Sequence, residues 1–218
     1  MALKILIVCD PNLENKIRSL VSALVPDATC ICWSKGDKEG RQRLSDTIRS
    51  GEWTILFSVY NDYIFSSEEL SFVRVPLNLH PALSSCRGVG YDVVPLIEGH
   101  SNYGATLHWM TEEVDAGTII QSEARELCPS WGYAQLRTAN QRLTLALFER
   151  CLHLWLTAAE VDAFESKLHE LAETAQQWSG AYISRRRLSA ILEELNSFDS
   201  ALIDRIELPA DFLRSASD

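Results

Sequence analysis

The chain has 218 residues and a formal net charge of −10, from 30 acidic against 20 basic side chains. That balance argues against a uniformly basic nucleic-acid face, and no apolar run approaches the roughly 20 residues needed to cross a bilayer. The length suits one α/β domain or one domain with a small appendage, and 46% hydrophobic residues are enough for a buried core.

The opening segment MALKILIVCDPN holds a short apolar run ended by Asp10 and Pro11, too short for a signal peptide. The expectation is a soluble, cytoplasmic protein. LKILIVC (3–9) reads as a strand buried on both faces. Leu13, Ile17, Leu20, Val21 and Leu24 then recur at helical spacing. ATCICW (28–33) is a second strand, KEGRQRLSDTIRSG (38–51) a polar helix stopped by Gly51, and WTILFSVY (53–60) a third strand. SSEELSFV (66–73) is a short helix with a serine start, and RVPLNLH (74–80) a fourth strand. Strands alternating with helices predict an α/β fold, a mostly parallel, doubly wound sheet.

Beyond residue 80 the pattern changes. GYDVVPLIEG (90–99) predicts a short helix around a proline, while 104–111 and 116–126 predict a hairpin with only EEVD between its arms. Residues 130–158 form one long amphipathic helix, and 159–176 another. A soft boundary near 159 divides a domain over 1–158 from a helical extension over 159–218. The long apolar helix and the C-terminal helices offer a surface for a homodimer.

The six cysteines are scattered, with no CxxC pair, so neither a disulfide scaffold nor a zinc knuckle is expected and no metal site is assigned. The first turn, CDPNLEN, has no glycine to let a phosphate approach the helix. Dinucleotide binding there is disfavoured, and Asp10 reads as a cap.

In an open α/β sheet ligands bind beyond the carboxyl ends of the strands. Asn78 and His80 lie at such an end, two residues apart, so both side chains face one crevice. Asp115, in TEEVDAGTI, is a third polar group able to enter from the hairpin loop. An amide, an imidazole and a carboxylate converging there would suit acid–base chemistry and oxyanion stabilisation. His108, within GATLHWM, reads as a structural histidine of a strand.

The runs NLHPAL, RG, GATLHWM and EEVDAGTII, in that order, resemble the N10-formyltetrahydrofolate-dependent formyltransferase family. The resemblance covers residues 54–125 well and the sheet before them loosely. It implies a Rossmann-like domain, N10-formyltetrahydrofolate as co-substrate, and an Asn78–His80–Asp115 triad. It places the folate against Tyr63, Phe65, Leu79, Glu112, Glu113 and Val114. The loop Ser84, Ser85, Cys86, Arg87 and Gly88 borders the acceptor side, and there the sequence departs from the family's usual Leu-Pro.

The first turn lacks the phosphate loop of glycinamide ribonucleotide transformylases. The chain also fits poorly with methionyl-tRNA formyltransferases, which carry a further domain and need a basic face, and with the hydrolases, which add a regulatory domain. The tail GAYISRRRL loosely resembles the ending of amino-sugar N-formyltransferases, with Tyr182 kept, and Arg185, Arg186 and Arg187 as candidates to meet a pyrophosphate. The leading reading is N-formylation of a primary amine on a small molecule, foremost a nucleotide-linked amino sugar. The alternatives are formylation of an aminoacyl or other natural-product precursor, and a non-catalytic folate-binding or interaction protein.

Overall fold

A computed structural model describes residues 4–158, 160–198 and 200–208. Its centre is a six-stranded sheet built from β1 (Ile5–Cys9), β2 (Thr29–Cys32), β3 (Trp53–Val59), β4 (Val73–His80), β6 (Asn102–Trp109) and β7 (Ile119–Glu126), in the order β2-β1-β3-β4-β6-β7. The first four strands run parallel, and β6 and β7 add antiparallel neighbours. Helices α1 (Glu14–Leu24), α2 (Lys38–Ser50) and α3 (Ser67–Leu70) follow β1, β2 and β3. Past β4 come α4 (Val94–Ile97), α5 (Tyr133–Ala158), α6 (Val161–Glu173), α7 (Arg185–Phe198) and α8 (Ser200–Ile206). Among the described residues, no helix is long and apolar enough to cross a membrane.

Alternation along each strand feeds two apolar layers. Ile5, Ile7 and Cys9 of β1 face α1, α5 and α6, joining Phe57, Leu77, Phe148 and Phe164. Leu6 and Val8 point the other way, against Leu44 and Ile48 of α2. Burial on both faces is why β1 reads as an unbroken apolar run. The long helix α5 buries Leu136, Leu143, Leu147, Cys151 and Trp155, one stripe of a 3.6-residue period. The boundary placed near residue 159 falls within shared packing, because Phe164 and Leu168 of α6 are fully buried in the same layer as the sheet.

Local signals act as the sequence suggests. Asp10 accepts from the Asn12 amide at 2.7 Å, starting a short 3-10 turn (Pro11–Leu13) before α1. Ser66 and Glu69 form a reciprocal capping box on α3. Pro76 sits inside β4, a central strand. Its carbonyl takes the Met110 amide, and β6 has ended there, so the missing N–H on that edge has no strand partner to fail.

Two features differ from the sequence reading. The second arm of the hairpin begins at Ile119 rather than 116, because residues 110–118 swing toward the end of β4 instead of turning tightly. In addition, β5 (Arg87–Gly88) pairs in parallel with β8 (Tyr182–Ile183), a two-residue contact too short for any periodicity to reveal.

Candidate active site

The chain passes from β1 outward to β2 and then returns across β1 to β3, so the order reverses between β1 and β3. A crevice opens outside the carboxyl ends at such a reversal. The cleft of this chain, ≈ 240 Å³, opens beside that reversal, beyond the ends of β3 and β4, and Asn78, His80, His108 and Asp115 all line it.

Asn78 and His80 are there because β4 ends at His80, and alternate residues of a strand share a face. Asp115 arrives from the loop between β6 and β7, with a φ of 49°, a left-handed conformation that aspartate tolerates better than most residues. The loop is held from both sides. The Gly88 amide donates to Asp115 Oδ2 at 2.9 Å, and Arg87 Nε donates to the Asp115 carbonyl at 2.7 Å. Gly88 is required in that place: its φ is 82°, and a Cβ there would stand 2.4 Å from the Ile183 carbonyl oxygen.

The carboxylate bridges the other three groups. Asp115 Oδ2 lies 3.4 Å from His80 Nδ1, and Oδ1 lies 3.4 Å from His108 Nε2 and 3.5 Å from Asn78 Nδ2. Asn78 Nδ2 also contacts His108 Nε2 at 3.0 Å. Both imidazoles are fixed at their far nitrogen by a carbonyl, which only accepts. His80 Nε2 meets the Cys86 carbonyl at 2.7 Å, and His108 Nδ1 meets the Trp109 carbonyl at 2.7 Å, so each of these nitrogens carries a proton. Burial alone would push the Asp115 pKa up. The charge of His80, the hydrogen bond and charge of His108, and the Gly88 amide outweigh it and hold the pKa down at about 2. Asp115 is therefore a fixed anion at neutral pH.

The walls account for the residues expected to take a folate. Tyr63, Phe65, Leu79, Glu112, Glu113 and Val114 all line the cleft, with Met110 and Tyr91. Tyr63 is braced from behind, its hydroxyl donating to Glu69 at 2.5 Å and its ring lying edge-on to Trp33. Glu113 also pairs with Arg87 at 3.3 Å.

The loop expected on the acceptor side divides. Gly88 lines the cleft, and Arg87 flanks it through Asp115. Ser84, Ser85 and Cys86 do not line it. Ser84 is buried and its carbonyl accepts from the amides of Ser179 and Gly180, while Cys86 acts through the carbonyl that holds His80. The segment around Gly180 lies close against this loop: a Cβ at Gly180 would lie 1.9 Å from the Ser85 oxygen.

The structure adds residues that sequence reasoning left aside. His108 was read as a structural strand histidine; it lies directly opposite Asn78 in the β4–β6 register and reaches both Asn78 and Asp115. Trp178 stands edge-on to both rings, at 5.1 Å from His108 and 5.9 Å from His80, and donates to the Gly117 carbonyl at 2.7 Å. A lone tryptophan in the polar run AQQWSGAY was the available signal. Arg185 lines the cleft and pairs with Asp62 across its mouth at 2.5 Å, whereas Arg186 and Arg187 are exposed outside it. Among the described residues, no group of three or more His, Cys, Asp or Glu is arranged to hold a metal ion.

No protein-family model matches the chain, and no curated protein does. Solved structures do match in fold. A sugar N-formyltransferase from Shewanella sp. FDAARGOS_354 superposes with a TM-score of 0.62 at 21% identity, covering 87% of this chain and 79% of that one. An N-formyltransferase from Helicobacter canadensis, solved with folinic acid and dTDP-3-aminofucose, matches at 0.61 and 17%, over 85% and 72% of the two chains. A phosphoribosylglycinamide formyltransferase from Bacillus halodurans matches at 0.60 and 18%, over 72% and 97%. The fold of this chain is the Rossmann-like fold of the N-formyltransferases.

Proposed function

We propose that the chain is an N-formyltransferase that moves a formyl group from N10-formyltetrahydrofolate to a primary amine of a small molecule, foremost a nucleotide-linked amino sugar. One observation carries the reading: an amide, two imidazoles and a buried anionic carboxylate converge in the wall of a largely apolar cleft outside the strand ends. The fold likeness and the folate and dTDP-sugar ligands of the Helicobacter structure support it. The walls suit a flat ring system, with Tyr63, Phe65, Leu79 and Val114 as apolar surface and the backbone of 112–114 as polar edge.

The co-substrate supplies the formyl group, and this chain's residues do the rest. Asn78 turns its amide N–H, now only 3.5 Å from Asp115, onto the formyl oxygen as that oxygen gains charge under attack by the amine. His80 presents its Nδ1 edge to the same region while the Cys86 carbonyl fixes the ring. Asp115, ionised throughout, orients the water through which the proton released by the amine passes toward the departing folate nitrogen. His108 holds Asn78 and Asp115 in register. Trp178 covers the two imidazoles and keeps water from that side.

The test mixes the protein with N10-formyltetrahydrofolate and a panel of amines: dTDP-linked amino sugars, glycinamide ribonucleotide and aminoacyl esters. Folate absorbance is followed. Amine-dependent turnover, greatest with an amino sugar, is expected. Turnover without any amine would assign hydrolysis, and folate binding with no turnover for any acceptor would refute transfer.

A further inference from the structure

Three cysteines crowd the start of the sheet, away from the cleft's chemistry. Cys9 ends β1, and Cys30 and Cys32 lie on β2, its parallel neighbour. All three face α1, since Cys30 and Cys32 are two residues apart and pack with Cys9 in one apolar layer. Cys9 and Cys32 are direct partners in the strand register, and their sulfurs stand 3.3 Å apart. Laterally paired strands run about 4.8 Å apart, inside the roughly 4.4–6.8 Å window of Cα separations that a disulfide spans. Cys9 is fully buried, whereas Cys30 and Cys32 are half-buried and reachable. Burial holds the Cys32 thiol up at about 11, so little of it is thiolate at neutral pH and its reaction with peroxide is slow.

We propose that Cys9 and Cys32 form a dithiol modification site that hydrogen peroxide converts to a disulfide across β1 and β2. One thiol attacks the peroxide, the O–O bond breaks, and a sulfenic acid and one water result. The second thiol attacks that sulfur, the S–S bond forms, the S–O bond breaks, and a second water leaves. Two thiols thus lose two electrons and two protons in all, and the peroxide is reduced to two waters. A link between directly paired neighbouring strands belongs with the strained, readily reduced disulfides. The site lies behind the cleft wall: the Trp33 amide donates to the Cys9 carbonyl at 3.1 Å, the Trp33 carbonyl accepts from Asn61 at 3.0 Å, and Asn61 lines the cleft.

The experiment treats the full chain with hydrogen peroxide, alkylates the remaining thiols, digests with trypsin and sequences the cross-linked peptides by mass spectrometry. The reading predicts one link between peptides 5–16 and 19–35, removed by dithiothreitol, with fragmentation placing it on Cys32 rather than Cys30. The same link should form in Cys30→Ser and vanish in Cys32→Ser, with circular dichroism confirming that both fold. A link to Cys30, a link that survives Cys32→Ser, or a set of thiols that alkylate fully after peroxide treatment would overturn the proposal. None of these readouts depends on formyl transfer.

Discussion

Asp115 is the residue on which the others turn. It is 5% exposed, adopts a left-handed backbone, and gathers Asn78, His80, His108 and the Gly88 amide around one carboxylate. Its pKa of about 2 lies below the ordinary value of 3.8. A depressed carboxylate contributes stability that is complete above the unfolded pKa and is lost as pH falls through the folded one. The urea midpoint of the wild type should therefore fall between about pH 4 and pH 2. In Asp115→Asn, which keeps the backbone conformation, that part of the acid slope should be absent. Denaturation curves at stepped pH check this, and equal slopes in both proteins would refute it. For the chemistry, Asn78→Ala should keep the fold and lower kcat about 10²–10³-fold, the usual loss for one oxyanion donor. Single-turnover rates at saturating folate measure it, and a near wild-type rate would remove Asn78 from its role.

At the scale of elements, the two-residue pair β5–β8 does more than its length suggests. It ties the segment 178–185 to the loop after β4, and through Gly88 it holds Asp115 in the cleft. Gly88→Ala must place a Cβ 2.4 Å from the Ile183 oxygen at a φ of 82°. It should cost about 1–3 kcal/mol of stability and lower kcat as Asp115 loses its amide partner. Urea denaturation beside steady-state kinetics separates the two effects; unchanged activity in a destabilised protein would show that the pair serves folding alone.

At the scale of the molecule, α6 closes the core of the sheet, while α7 and α8 pack in a second apolar cluster beside the site loop. Phe164 is fully buried and meets Trp155 of α5 edge-on at 5.5 Å, and Leu188, Leu192 and Ile206 pack with Ala82 and Val93 beside the site loop. Phe164→Ala should therefore cost about 3–5 kcal/mol and shift one single unfolding transition. Two separable transitions, with the sheet's unmoved, would mark residues past 159 as an independent unit.

The alternating pattern of 3–80 determined the parallel, doubly wound sheet by itself, because burial on both faces imprints continuous apolar runs and each crossover helix its own period. Asn78 and His80 were legible for the same reason: a strand end and a period of two are local properties. Asp115 and its place beside Asn78 and His80 were legible only through the resemblance that EEVDAGT carries, because no local periodicity joins a loop residue to a strand end thirty-five residues earlier. Only tertiary structure decided what register and chain crossing bring together. His108 faces Asn78 because β6 lies antiparallel to β4 in one register, and a one-residue slip would turn it to the opposite face. Trp178 reaches both imidazoles across about seventy to a hundred residues of chain, and the Ser84 carbonyl meets the amides of Ser179 and Gly180 from as far away. Local sequence periodicity cannot carry such contacts, because their partners are set by how the folded chain crosses itself, not by the residues beside them.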